Sequence, residues 1–344
     1  MNEMKAKQGS PMEKERSRLP REAWGRQNHP IENKMAVKRV YQKEPINESC
    51  WAYMKLLRSR CGGKVYDVDP YAEVYRFREN LYGILVESID GMGDAWIYLL
   101  LGPEKAMLVD TGFGLGDLKG LCDELTGGKE LVVVNTHGHF DHAYGNCQFD
   151  AVYCHEYEAW SLRSQNAGMW DYLFDENTGE GIWSDFDRKA LVPWKDYSVV
   201  PCPDGHVFDL GGGYEVELVW LGGHSSGQAG YLDKQGRMFF AGDDIISMRV
   251  GVNGGRPGQP YGEHCSVKTL GENMAKLARR VGEFDHVFTG HFITDLESSV
   301  VVNMAQACRE VMAKPTDCAY SAQTPRGTQY FKYVEGLGTL AYRL

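Results

Sequence analysis

Residues Thr136-His137-Gly138-His139-Phe140-Asp141-His142 place four metal-capable side chains within six positions. Their order, His-x-His-x-Asp-His, is neither helical nor strand-alternating, so the four do not line one face of a regular element. They follow the apolar run Leu131 to Val134, which reads as a buried strand ending in a loop. A strand end is a rigid support, and a loop lets consecutive side chains diverge toward two points. Imidazole and carboxylate together suit zinc, and also iron or manganese.

Four more candidates repeat this design. His224 follows the run Val216 to Leu221 and two glycines, and Asp243 follows Phe239-Phe240-Ala241-Gly242. His291 follows Val287-Phe288-Thr289-Gly290, and upstream Asp110 follows Met107-Leu108-Val109. Each sits at the end of an apolar strand.

In this order the motifs resemble those of the metallo-β-lactamase-fold hydrolases, the superfamily that includes glyoxalase II, lactonases and class B β-lactamases. The resemblance runs from about Tyr66 to His291. It implies an αββα sandwich, two mixed β-sheets flanked by helices, holding two zinc ions. On it, His137, His139 and His224 hold one ion, and Asp141, His142 and His291 hold the other. Asp243 bridges the two, and Asp110 orients the loop that carries the histidines. Asp243 stands where two classes of β-lactamase place a metal-binding cysteine, which favours the glyoxalase II and lactonase branch.

The implied chemistry follows from the ligand set. Two ions about 3.5–4 Å apart share a water and lower its pKa toward ~7. A metal-bridging hydroxide would then attack an ester, lactone, thioester or amide of a small, partly apolar substrate. Asp141 and Asp243 are the expected catalytic carboxylates, with Asp141 carrying a proton to the leaving group. Two alternatives share the fold. One is a mononuclear iron dioxygenase of the persulfide dioxygenase kind, using mainly His137, His139, His224 and Asp243. The other is a β-lactamase-like amide hydrolase. The complete second set favours two ions.

Charge divides the chain. Residues 1–43 hold eleven Lys or Arg against five Asp or Glu, a net of +6. The whole chain carries −10, so the remainder carries −16. An acidic body argues against nucleic acid as substrate. The longest apolar stretch, around Ala95 to Leu101, is far too short to span a bilayer. Nine cysteines without a C-x-x-C pair fit a reducing compartment, so a cytoplasmic enzyme acting on a small molecule is expected, with no nucleic-acid or membrane partner. Cys122, Cys147, Cys154 and Cys308 read as core packing. Residues 1–45 read as a basic, disordered tail. Residues 46–344 read as the catalytic domain, with an aromatic-rich insertion at about 156–200.

Within that domain, Glu73 to Glu87 predicts strands, and Trp96 to Leu101 with Lys105 to Val109 a hairpin. Strands are also expected over Ala151 to Cys154, Val216 to Leu221, Gln228 to Leu232 and Met238 to Ala241. Leu115 to Leu125, Ser266 to Val281 and Ser298 to Ala313 have helical periodicity. Tyr330 to Arg343 predicts a final hairpin. The insertion holds nine aromatics in 45 residues, 20% against 12% for the chain. Two readings fit it: a lid whose Trp170 and Trp183 line a substrate pocket, or a small core of its own. Its acidic residues, Asp171 and Asp175 among them, favour a neutral or cationic substrate. Arg249 is a candidate clamp for a substrate carboxylate. Tyr144 and Asn146 are candidate oxyanion donors, the alternative for Asn146 being a helix cap.

Overall fold

Alternation along the strands decides the layers. In Ala95–Leu101, the side chains of Trp96, Tyr98 and Leu100 join one buried cluster, and those of Ile97 and Leu99 join another. A strand buried on both faces belongs in the middle of a layered stack. The computed structural model describes residues 35–39, 56–90, 93–252 and 254–344.

The first sheet has eight strands: Lys64–Tyr66 (β1), Asp69–Arg78 (β2), Leu81–Val86 (β3), Ala95–Leu101 (β4), Lys105–Val109 (β5), Glu130–Val134 (β6), Ala151–His155 (β7) and Ser198–Cys202 (β8). They lie in sequence order, antiparallel from β1 to β5 and parallel from β5 to β8. The second sheet is built from Val207–Asp209 (β9), Glu215–Trp220 (β10), Ala229–Asp233 (β11) and Met238–Gly242 (β12). Between β12 and its next partner runs Met248–Val252 (β13), which leaves for a third sheet. His286–Thr289 (β14) then pairs parallel with β12, and Leu296–Glu297 (β15) closes the edge. The third sheet joins β13 to Tyr320–Thr324 (β16), Gly327–Val334 (β17) and Gly338–Tyr342 (β18), in the order β13-β18-β17-β16.

Helices cover the outer faces. Leu118–Thr126 (α1) lays Leu118, Leu121 and Cys122 against the outer face of the first sheet. Val267–Ala278 (α4) and Ser299–Ala313 (α5) cover the second sheet through Leu270, Met274, Val301 and Met304. Between α1 and α4 in sequence come the short helices Phe140–Ala143 (α2) and Ala159–Arg163 (α3). The result is the αββα stack expected, with the third sheet packed beside the second sheet's helices. Between the two main sheets, Tyr98 lies 5.3 Å from both Phe240 and Phe288, ring to ring. The Tyr98 hydroxyl donates to the Thr289 carbonyl at 2.7 Å, so its polar end is satisfied.

Several boundaries differ from expectation for identifiable reasons. The first helix begins at Leu118 because Asp117 caps it, accepting from the Gly120 amide at 2.8 Å. Leu115 instead pairs with Leu191 of the insertion. The final hairpin forms, but as part of the third sheet, whose strand β13 the pattern did not reveal.

Most of the basic 1–45 segment lies outside the described residues. Residues 35–39 within it are not a free tail: Met35 and Val37 are buried, and Lys38–Arg39 pairs with Ser184–Asp185 of the insertion. Among the described residues, no helix is long and apolar enough to cross a membrane. Cys122, Cys147, Cys154 and Cys308 are free and buried, as core packing requires.

Phe240 is fully buried between the sheets. Phe240→Ala should therefore cost about 3–5 kcal/mol, read from the urea midpoint. A loss below about 1 kcal/mol would contradict this account of the core.

Candidate metal centre

The two parallel regions aim their strand ends at one place. Strands β5 and β6 end just before Asp110 and the His137 loop, and β12 and β14 end beside Asp243 and His291. The Trp96 amide donates to the Gly290 carbonyl at 2.8 Å, pinning the His291 loop to the first sheet. A Cβ at Gly290 would stand 2.9 Å from the His142 ring and closer still to Asp243 Oδ1. This is why a glycine precedes the histidine: a side chain there would occupy the site.

Seven side chains converge. His137 Nε2 lies 2.9 Å from His139 Nδ1, and His224 Nε2 lies 3.0 Å from the same nitrogen. His142 and His291 bring their Nε2 atoms to 3.2 Å. Asp141 Oδ2 is 3.1 Å from His291 Nε2. Asp243 stands between the groups, 3.3 Å from His142, 3.4 Å from His291 and 3.5 Å from His224. The ligand atoms form three triads, each within 4.8 Å: His137, His139 and His224; His137, His142 and Asp243; Asp141, His142 and His291.

Outer partners fix which ring nitrogen faces inward. His142 Nδ1 donates to Asp110 Oδ2 at 2.9 Å, His224 Nδ1 to the Gly251 carbonyl at 2.8 Å and His291 Nδ1 to the Asp94 carbonyl at 2.8 Å. His137 Nδ1 meets Thr136 Oγ1 at 3.1 Å, whose hydroxyl donates to Asp110 at 2.8 Å. Each of these four rings thus presents Nε2 to the cluster, the arrangement in which metal ligands are held. Asp110 also accepts from the Thr136 amide at 2.7 Å and sits at φ 66°, a left-handed conformation that a non-glycine residue holds only under constraint.

The electrostatics match. Burial opposes charge on His142, but Asp243, Asp141 and Asp110 outweigh it and raise His142 well above an ordinary imidazole. The same balance, with Asp243 and Asp141 against burial, raises His291 to about 10. Burial and the neighbouring rings His142 and His139 push His137 down, and desolvation with His224 lowers His139 to about 4. Against burial, the imidazoles hold the Asp141 carboxyl low, and the Asp243 carboxyl lower still. Convergent imidazoles beside ionised carboxylates are a donor set suited to a divalent cation. Asp243 Oδ1 is buried and makes no hydrogen bond of good geometry, although His142 Nε2 lies 3.3 Å away.

The other expected residues are dispersed. Asn146 is fully buried within the 3-10 turn Tyr144–Gln148. Its amide donates to Asn135 Oδ1 at 2.8 Å and its Oδ1 accepts from Thr111. Its side chain is engaged by these partners rather than by a helix end. Trp170 is 5% exposed, donates to the Phe113 carbonyl at 2.7 Å and packs with Met35, Leu173 and Phe174. The insertion shares a small core with residues outside it, Met35, Ile89 and Phe113 among them, and Trp170 belongs to that core. Trp183 is half-buried, its ring 6.4 Å from that of Tyr172. Tyr144 lies between Phe140 and Trp170, one residue beyond the ligand helix. Arg249 is exposed on β13, two residues before the carbonyl that holds His224.

Two groups escaped the sequence reading. Tyr172, 41% exposed, packs 5.9 Å from Phe140, which lies 6.3 Å from His139. Glu158, 2% exposed, bonds to both histidine loops, and burial pushes its carboxyl up against the pull of its three donors. Neither lies in a motif.

The family model described as the metallo-beta-lactamase superfamily matches residues 90–262. The acyl-coenzyme A thioesterase MBLAC2 of Homo sapiens is 29% identical over 215 residues, 58% of this chain and 73% of that protein. Its Bos taurus counterpart is 28% identical over 210 residues, with the same coverage. Among solved structures, a metallo-beta-lactamase from Pontibacter korlensis aligns with a TM-score of 0.49 and 17% identity, over 69% of this chain and 99% of that one. With its αββα stack, and with just over half of its length matched by the family model, the chain belongs to the metallo-beta-lactamase superfamily.

Proposed function

We propose that the chain is a zinc-dependent thioester hydrolase acting on acyl-coenzyme A, with two ions per chain. The convergence of five imidazoles and two carboxylates supports the metal, and the likeness to acyl-coenzyme A thioesterases supports the bond cleaved. His137, His139 and His224 would hold one ion, Asp141, His142 and His291 the other, with Asp243 between them. When bound, the ions supply Lewis acidity and an activated water.

The chain's own residues supply position, proton and pocket. Asp141, 3.1 Å from His291, would carry a proton to the leaving sulfur. Burial and Asp141 raise the Tyr144 hydroxyl, so it stays protonated and able to donate to a carbonyl oxygen. Phe140, Tyr172 and Trp183 form an aromatic ledge beside His139 that suits an acyl chain.

A coenzyme A ester is anionic, which departs from the neutral or cationic substrate that the acidic insertion suggested. Two features of that insertion weaken the objection. Asp171 pairs with Arg188 at 3.1 Å, and Asp175 is engaged by the amides of Asn177 and Thr178. The chain after Asp243 meanwhile exposes Arg249 on β13 and Arg256 beyond that strand, donors suited to phosphate.

Zinc-loaded protein should release free thiol from acyl-coenzyme A, and Asp141→Ala should slow this by about a hundredfold or more with the fold intact. Full activity in that variant would contradict the dinuclear mechanism. Turnover of lactones or esters without any acyl-coenzyme A would contradict the thioester assignment. Metal binding should also depend on pH. Carboxylates raise His142 and His291, so both carry protons at neutral pH until a cation displaces them. Zinc affinity should rise from pH 6 to 8 with release of about two protons, measured by calorimetry in buffers of different ionisation enthalpy. An affinity independent of pH over that range would contradict this charge balance.

A further inference from the structure

Glu158 lies at the start of the insertion, directly before α3, and its carboxylate reaches into both histidine loops. Its Oε1 accepts from the Gly138 amide at 2.8 Å. Its Oε2 accepts from the Ser225 hydroxyl at 2.8 Å and the Gly227 amide at 2.9 Å. Gly138 separates His137 from His139, and Ser225 follows His224. One buried carboxylate therefore fastens together the two loops that carry the first triad.

The neighbouring sequence is shaped around this clamp. A Cβ at Gly138 would lie 3.0 Å from Glu158 Oε1 and 2.5 Å from Ser161 Oγ. A Cβ at Gly227 would lie 2.5 Å from Glu158 Cβ. Both glycines permit a close approach that any side chain would block. A second strut runs beside it: Trp160 Nε1 donates to Ser226 Oγ at 3.2 Å, and that hydroxyl donates to the Tyr157 carbonyl at 3.0 Å.

We propose that Glu158 is a positioning residue that sets the spacing of His137, His139 and His224, so that the insertion completes the first metal position. This rests on the metal reading above. The residue type follows from the donors. Three hydrogens point at two oxygens, and only a carboxylate accepts at both. An amide would turn one acceptor into a donor facing an N–H or O–H, and aspartate is one methylene too short.

The test uses the full chain, stripped of metal and titrated with cobalt(II), whose visible spectrum reports each position as it fills. Glu158→Gln should weaken the first position by about ten- to a hundredfold while the second stays near wild type. Ser225→Ala, which removes one of three bonds and leaves the carboxylate, should weaken the same position less. Unchanged affinity at the first position in both variants overturns the proposal. So does an equal loss at both positions, the signature of general destabilisation. If the wild-type chain takes up no cobalt, the metal reading fails and this proposal with it. Uptake by the wild type with no selective loss in the variants refutes the role of Glu158 alone.

Discussion

Electron-rich atoms crowd together in the centre of this molecule at distances that only positive charge makes tolerable. His142 and His291 face each other through Nε2 at 3.2 Å, and each has already committed Nδ1 to an outside acceptor. Two lone pairs at that range repel unless a proton or a metal ion lies between them. Asp141 and Asp243 deepen the negative field, and burial removes the water that would screen it. The scaffold must hold these groups against their mutual repulsion, and much of the architecture serves that end.

Rigidity comes from parallel strand ends and from single residues that lock neighbouring loops. Asp110, held in a left-handed conformation, takes hydrogen bonds from the Thr136 amide, the Thr136 hydroxyl and His142. The Trp96 amide ties the His291 loop to the first sheet, and the edge of β13 supplies the carbonyl that orients His224. The third sheet therefore bears on the site, although none of its residues belongs to the ligand triads. Glu158 adds the insertion to this frame.

Much of this was visible in the sequence, for local reasons. The seven convergent side chains are chemically distinctive, and each follows an apolar strand within a few residues. Their glycine neighbours mark spots where a side chain would collide with the cluster, as at Gly290. The central strands were equally plain, because burial on both faces writes a continuous apolar run in β4 and β12. What escaped depends on distant partners. Asn146 looks like a loop donor until Asn135 and Thr111 consume it. Trp170 looks like a pocket wall until Met35 and Phe174 close over it. Strand β13 has no strong pattern of its own and is defined by pairing with β18, some ninety residues later. Glu158 is one acid among many in an acidic chain, and only the folded loops show what it grips.

The central claim is that the cluster is a two-ion centre. Mass spectrometry of metal content, on full-length protein expressed with zinc and iron both supplied, tests it most directly. The account predicts about two zinc ions per chain. A single iron per chain, or no bound metal, would contradict it.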